Sequence, residues 1–582
     1  EQGFFVTRND TPTAPADLSW RPGDFGSLKD SLDYAAANCT HGMTFYSGRG
    51  VVRESFSYAE LKARALTTAR RLLGLGLQPG EKVAVLAETR SEFIVVFYAC
   101  QYAGLTPVPV PAVVNLGGRE AYLKQLKFFL GSCGARVAFA TDDFLSFLEE
   151  AAAGRDLLFH GRLQELDGVE MVDERDLPVE HPQQIAYIQY TSGSTQVARG
   201  AVIEQSAVMC NLEGIIRYGL KVQPDDRVFS WLPLYHDMGL VGTMLAPVAA
   251  QLPVSYLGTR DFALRPRLWL KLMAETRSTV AFSPPFGYKL AARRLRDGEG
   301  VSFDLRHWRV AGVGAEMIRP EALQQFAEAT AGSGFDPRAF LPCYGMAEVA
   351  LAVSFSKLDE AFGVDRVDRE ECTSHRLATP AAVDAPESSV SEFVNCGEAL
   401  PGVTIEVRGP DNKVLADRQI GVVWVRSDSA MSEYLNNPEA TREVLFGDWV
   451  NTGDLGYQVD GSLFITGRSK DMIIVNGRNI WPQDLEAVAE SQAGVRPGDA
   501  MAFALQQHAE GEAVVMLVQY RMLEEDVRRE FAEKLGARIR SEFGVDCTIE
   551  LVGPHALPRT SSGKPSRAQA RANYLAESRS VR

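Results

Sequence analysis

Glu81-Lys82-Val83-Ala84-Val85-Leu86-Ala87, followed by residues 91–103 and then by residues 105–110, is the stretch whose reading decides the fold. The first run is short, Val-rich and apolar and reads as a strand. The second has the length of a helix, and the third reads as another strand, closed by prolines. The same rhythm returns at residues 185–190, 227–232, 253–257, 278–282, 309–313 and 339–341. Such alternation predicts an α/β fold with mostly parallel sheets covered on both faces by helices, and sheets of that kind bind ligands at the carboxyl ends of their strands.

The rhythm stops near residue 356. Residues 358–390 are polar, charged and punctuated by prolines, and behind them Val and Ile alternate with polar residues at 403–407 and 421–426, as in a half-exposed antiparallel sheet. From residue 469 a final unit is expected, with a short hairpin, a helix at 482–491, two strands within 500–520, an amphipathic helix at 524–543 and a basic tail. A chain of 582 residues exceeds what one core supports. The predicted organisation is therefore a large unit, 1–468, of two α/β subdomains plus a small β-barrel-like subdomain at 395–468, and a small mobile α+β unit, 469–582.

Composition narrows the function. With 46% hydrophobic and 23% charged residues the chain is an ordinary globular one, and its net charge of −15 argues against nucleic acid or an anionic membrane as the main partner. The eight cysteines show no CxxC pairing or metal-like cluster, and no basic and apolar leader pattern opens the chain, so reduced thiols and a cytoplasmic location are expected. Residues 238–259 carry no charge, but Pro247, Gln251 and Pro253 interrupt them. They read as a buried helix and strand, not as a transmembrane segment.

The chemistry begins at Tyr190-Thr191-Ser192-Gly193-Ser194-Thr195, a hydroxyl-rich turn behind the apolar run 185–189 and ahead of what reads as a helix. Hydroxyls and a glycine after a strand suit a polyanion such as a nucleotide phosphate, although the Walker ending Gly-Lys-Ser/Thr is missing and a plain turn has the same composition. Further segments follow at predicted strand ends: Trp231-Leu232-Pro233-Leu234-Tyr235-His236-Asp237-Met238-Gly239, Gly312-Val313-Gly314-Ala315-Glu316, and Pro342-Cys343-Tyr344-Gly345-Met346-Ala347-Glu348. Asn451-Thr452-Gly453-Asp454, Gly467-Arg468-Ser469-Lys470-Asp471 and Pro558-Arg559-Thr560-Ser561-Ser562-Gly563-Lys564 complete the series.

In order and spacing these segments, over residues 50–570, resemble the motif series of the adenylate-forming superfamily of acyl-CoA synthetases, peptide-synthetase adenylation domains and luciferase. Residues 231–239, 343–348 and 476–484 are most similar to fatty acyl-AMP ligases. That resemblance implies activation of a fatty acid by ATP, with Mg²⁺, to an acyl-adenylate, and transfer of the acyl group to the phosphopantetheine of an acyl carrier protein. It assigns the β- and γ-phosphates to Thr191, Ser192, Gly193, Ser194 and Thr195, and Mg²⁺ to Glu348. Asp454 is expected on the ribose, with Arg468 beside it, and Gly314, Ala315, Glu316, Tyr344, Gly345, Met346 and Ala347 around the nucleotide. His236 would stand at the mouth of an acyl pocket near Trp231 and Met238. Lys564 would bridge the substrate carboxylate and the α-phosphate, and Lys470 would be the hinge of the small unit. The family's distinguishing insertion, which limits movement of that unit, corresponds to 356–391, a tract that also reads as a long surface loop.

One departure stands out: where most members continue with a glycine, a proline and Lys-Gly, this chain has Gln196-Val197-Ala198-Arg199-Gly200. Arg199 supplies the charge with a different geometry. Neighbouring readings are an acyl-CoA or acyl-carrier-protein synthetase, an amino-acid-activating enzyme with Asp237 as amine clamp, and a non-catalytic protein on the same scaffold. The last would be expected to have lost Lys564, Glu348 or Asp454.

Overall fold

Helix Ser91–Ala103 is apolar on every side, and every residue in it but Glu92 is buried. It ends at Gly104, whose left-handed backbone (φ 65°) lets its N–H return to the Cys100 carbonyl. A Cβ there would also come within 2.8 Å of Pro178. The computed structural model describes residues 20–580 except 113–117, 180, 192–197, 297–302, 476–477, 497, 508–510, 523 and 560–564. On one flank of the helix lies a parallel sheet in the order Thr106–Val110, Lys82–Leu86, Ala135–Phe139, Phe159–Gly161. Pro107 and Pro109 are accommodated because their strand is the edge of this sheet, where a missing N–H costs no ladder bond.

The second, larger sheet runs Glu398–Ala399, Ala352–Phe355, Phe340–Gly345, Val310–Val313, Val280–Ser283, Val228–Ser230, Val254–Leu257, Gly42–Tyr46, Val52–Ser57. Its six middle strands, from Phe340–Gly345 to Gly42–Tyr46, are parallel, and antiparallel pairs close both ends. Strands Val228–Ser230, Val280–Ser283 and Val310–Val313 are buried along their whole length, as strands covered on both faces must be. The uncharged stretch after residue 238 is the buried helix Met238–Leu245 and the strand Val254–Leu257. Among the described residues no helix is long and apolar enough to cross a membrane.

The hydroxyl-rich turn departs from expectation in its surroundings. Strand Ile185–Thr191 does not run into a helix. It pairs antiparallel with Arg199–Glu204, from Ile185 opposite Glu204 to Thr191 opposite Arg199, and only then does helix Gln205–Glu213 begin. Arg-Gly-Ala-Val-Ile-Glu buries its four middle residues, and that burial favours a strand over a helix start. Among the described residues, then, a strand and not a helix follows Thr191 along the chain, residues 192–197 lying outside them.

Beyond the α/β region, Val403–Arg408, Gly421–Ser427, Leu445–Phe446, Trp449–Val459 and Ser462–Arg468 form an antiparallel sheet. The polar tract before it is built, not a plain loop. Val364–Asp368 pairs with Val390–Val394, and Asp365 is held by Arg418 at 3.0 Å and by the Tyr457 hydroxyl at 2.7 Å. The tract also touches the last unit: Asn479 donates to the Thr373 carbonyl at 2.9 Å and accepts from Arg376 at 3.2 Å, and the Arg369 guanidinium lies 5.2 Å over the Phe543 ring.

After Ser469 the chain forms the hairpin Ile473–Val475 and Arg478–Ile480, helix Pro482–Glu490, strands Ala500–Gln507, Gly511–Gln519 and Cys547–Val552, and helices Glu525–Phe543 and Arg567–Ser580. The basic tail is thus a third strand, parallel to Gly511–Gln519, and a second long helix. This unit has its own core around Leu485, Ala502, Met516 and Ile539. All eight cysteines are free thiols.

Candidate active site

The carboxyl ends of the large sheet's strands, the end of strand Ile185–Thr191, the antiparallel sheet and the last unit bring candidate residues to one cavity of ≈ 640 Å³. Behind Val228–Ser230 the chain passes through Tyr235, whose carbonyl accepts from the Gln189 amide at 2.7 Å, fixing this segment to strand Ile185–Thr191. His236 Nδ1 lies 2.6 Å from Asp237 Oδ1, and the same oxygen accepts the Met238 N–H at 2.8 Å, capping helix Met238–Leu245. His236 and Met238 line the cavity. Trp231 does not: its ring stacks on Phe262 with centroids 3.7 Å apart and meets Trp269 and Phe286 edge-on, because an indole of that size between three aromatic rings gains more from the core than from the cleft.

Strand Val310–Val313 leads into Gly314, Ala315 and Glu316, all on the cavity wall. Close approach explains the glycine, since a Cβ at 314 would stand 3.0 Å from Cys343 Sγ. Ala315 is held at φ 71°, a conformation that an L-residue adopts only under constraint. Strand Phe340–Gly345 brings Tyr344, Gly345, Met346, Ala347 and Glu348 to the same wall. A Cβ on Gly345 would overlap the Leu351 carbonyl oxygen, which accepts the Met346 N–H at 2.8 Å.

Two buried carboxylates are braced by tyrosines. Glu348 Oε1 accepts from the Tyr434 hydroxyl at 2.6 Å, and Asp454 Oδ2 accepts from the Tyr344 hydroxyl at 2.6 Å. Arg468 Nε is 3.1 Å from the other Asp454 oxygen. Burial pushes the Glu348 carboxyl above the usual range, and the Tyr434 bond partly restores it. The Arg199 guanidinium lies 5.4 Å over the Tyr434 ring and 3.3 Å from Glu443. Asp454 follows an irregularity in strand Trp449–Val459 at Gly453 (φ 69°), with its N–H on the Thr452 hydroxyl at 3.1 Å and that hydroxyl on the Val423 carbonyl at 2.7 Å.

The opposite wall comes from the small unit: Lys470, Asp471, Gln483, Pro565, Ser566 and Arg567. The two units approach closely, since a Cβ on Gly467 would reach the Trp481 ring at 2.9 Å, and Gln483 donates to the Thr466 carbonyl at 2.8 Å. Arg319 donates to the Gln483 carbonyl at 2.6 Å.

A different stretch of wall is apolar: Ile215, Gly242, Phe282, Leu351 and Phe355. Gly242 leaves room in it, since a Cβ there would reach Leu351 at 3.3 Å, and behind it a Cβ on Gly219 would reach Phe355 at 2.7 Å.

Of the sequence-predicted residues, Thr191 ends its strand at the cavity, while Ser192, Gly193, Ser194, Thr195 and Lys564 lie outside the described residues. Tyr434, Gln189 and Arg567 are members of the site that sequence reasoning missed. An amide inside an apolar strand was a signal for Gln189; nothing near Tyr434 or Arg567 distinguishes them. Among the described residues no group of three or more His, Cys, Asp or Glu side chains is gathered as a metal centre. A hard cation at the Glu348 carboxylate would fit only with further oxygens from a phosphate ligand and water.

Residues 34–435 match the family of AMP-binding enzymes. A protein of Caulobacter vibrioides provisionally named an acyl-CoA synthetase is 44% identical over 97% of this chain and 98% of its own. The medium-chain-fatty-acid–[acyl-carrier-protein] ligase JamA of Moorena producens is 28% identical over 95% of both chains. A solved structure from a study of fatty acyl-adenylate ligases from E. coli and L. pneumophila superposes with a TM-score of 0.90 at 44% identity, covering 96% of this chain and 100% of that one.

Proposed function

As the chain belongs to the family of AMP-binding enzymes, ligases that form adenylates at the expense of ATP, we propose that it activates a fatty acid as acyl-AMP and transfers the acyl group to the phosphopantetheine thiol of an acyl carrier protein. The observation that carries this reading is one cavity lined both by the braced carboxylates Glu348 and Asp454 and by the apolar wall Ile215, Gly242, Phe282, Leu351 and Phe355. The first set suits a nucleotide and its cation; the second suits an alkyl chain.

The substrates are like-charged, so the reaction depends on positioning and charge neutralisation. A carboxylate oxygen attacks the α-phosphorus in line, and pyrophosphate leaves with the electron pair of the broken P–O bond. Asp454, fixed by Tyr344, accepts from the ribose hydroxyls. Gly314 and Gly345 allow the backbone to approach the base. His236, oriented by Asp237, and Lys564 bind the carboxylate side, and Thr191 to Thr195 hold the β- and γ-phosphates. Glu348 is the Mg²⁺ ligand; the ion, when bound, neutralises phosphate charge.

A second reading, coenzyme A as acceptor, is favoured by the name of the Caulobacter relative. Against it stand the contacts from the 356–391 tract to Asn479 and Phe543, which restrain the small unit. Asp237 is an unpromising amine clamp, since His236 and the Met238 N–H already share one of its oxygens. Mass spectrometry of the protein with Mg²⁺, ATP, laurate and coenzyme A separates the readings. Accumulating lauroyl-AMP, discharged only by a pantetheinylated carrier protein, is expected; lauroyl-CoA overturns the choice of acceptor.

A further inference from the structure

The guanidinium of Arg567 is engaged on both of its edges. Nε and Nη2 donate to Glu486 Oε1 and Oε2 at 2.8 and 2.7 Å, and Nη1 donates to Asp471 Oδ2 at 2.9 Å. Their side-chain exposures are 17%, 10% and 18% for Arg567, Glu486 and Asp471, low enough for geometry and not solvent to set the arrangement. Glu486 Oε1 also accepts the Ala502 N–H at 3.0 Å. One side chain thus joins the start of helix Arg567–Ser580 to helix Pro482–Glu490, to strand Ala500–Gln507 and to the turn Ser469–Asp471.

What lies on either side of this triad gives it a function. Asp471 directly follows Lys470, and both face the cleft. Just before Arg567 the chain is clamped on itself: Arg559 and Pro565 form an antiparallel bridge, Ser566 donates to the Pro558 carbonyl at 3.0 Å, and Arg559 donates to the Gly498 carbonyl at 2.6 Å. Pro565 and Ser566 also face the cleft. A bidentate guanidinium fixes an angle as well as a distance, which a lysine ammonium in the same place would not.

We infer that Arg567 is a positioning residue that locks the residue after Lys470 to the clamped base 558–559/565–566, so that both turn as one body and meet the cleft at one angle. This rests on the adenylate-forming reading above. Formation of the adenylate needs that base seated against the cleft; transfer to a thiol takes place after it has turned away.

The test uses the full chain and two half-reactions, pyrophosphate release from ATP and laurate, and transfer from supplied lauroyl-AMP to pantetheine. Arg567→Ala is expected to slow the first about 100-fold and the second less than about threefold, with Arg567→Lys and Asp471→Asn in between, near tenfold on the first step. Hydrogen exchange supplies a readout independent of activity: the Ser566 and Ala502 N–H groups exchange faster in Arg567→Ala, while those of strand Val310–Val313 do not change. Equal losses in both half-reactions, Lys no better than Ala, or unchanged exchange at Ser566 and Ala502 overturns the inference. If Arg567→Ala does not fold, the Lys and Asn variants decide by the same criteria. If the unmodified protein forms no acyl-AMP, the functional reading falls, and exchange alone decides the lock.

Discussion

The two walls of the cleft are built on different principles. On the large unit, two carboxylates that face the cavity are tied to tyrosines from distant parts of the chain, Glu348 to Tyr434 and Asp454 to Tyr344, and the backbone between Tyr344 and Glu348 is pinned by Gly345 against Leu351. On the small unit, Asp471, Glu486 and Arg567 are fixed to one another, and the connections to the large unit are separate contacts: Arg319 to Gln483, Gln483 to Thr466, Asn479 to Thr373 and Arg376, and Arg369 over Phe543. One wall is set before any ligand arrives. The other is braced internally, and under the proposed two-step reaction it would turn as a body between one partner and the next.

The sharpest way to break this contrast is Lys564→Ala. Removing the group that the resemblance places on the turning wall is expected to lower adenylate formation by about 100- to 1,000-fold and to leave transfer from supplied acyl-AMP nearly intact; single-turnover assays of the two steps would show it, and parallel losses would refute it. Glu348→Gln comes next. On the fixed wall, loss of the carboxylate charge should reduce Mg²⁺-dependent pyrophosphate release by about 100-fold and raise the Mg²⁺ concentration needed for half-maximal rate. An unchanged Mg²⁺ titration would remove Glu348 as the ligand. Tyr434→Phe probes the brace alone. Losing one hydrogen bond to a charged group, worth about 1.5–3 kcal/mol, should slow the first step about tenfold or more, with no change in hydrogen exchange of the small unit. The smallest effect is expected from Arg319→Ala, which removes a partly exposed contact worth about 1 kcal/mol or less. It should shift the ratio of the two half-reactions a fewfold toward transfer; a loss as large as that of Tyr434→Phe would mean that the walls are less independent than described.

The α/β region was legible because its strands announce themselves. Lys82–Leu86, Val228–Ser230 and Val310–Val313 are short, largely apolar runs that bury both faces, and motif residues follow the last two directly. The pairing of Ile185–Thr191 with Arg199–Glu204 was not legible, since six residues with one charge at each end look much like the approach to helix Gln205–Glu213. Motif resemblance pointed to Glu348 and Asp454 but not to what holds Glu348. Tyr434 sits 86 positions away, in a segment whose local composition suggests only a turn. The polar tract at 356–391 could be matched to the insertion only by position and length and also read as a loop, because the partners that order it, Arg418, Tyr457 and Asn479, all lie later in the chain. Trp231 was assigned to the acyl pocket by proximity to His236, yet three aromatic rings distant in sequence draw it into the core.

The long reach of those tyrosine braces has a consequence during synthesis. Tyr344 and Asp454 are 110 positions apart. At a ribosomal rate of about 5–20 residues per second, the strand that carries Tyr344 leaves the exit tunnel roughly 5–20 seconds before the strand that carries Asp454 does. Through that interval Tyr344 stands at an uncovered rim, without the carboxylate that it braces. The wall that needs no ligand to be shaped is therefore among the last parts of the large unit to be completed on the ribosome.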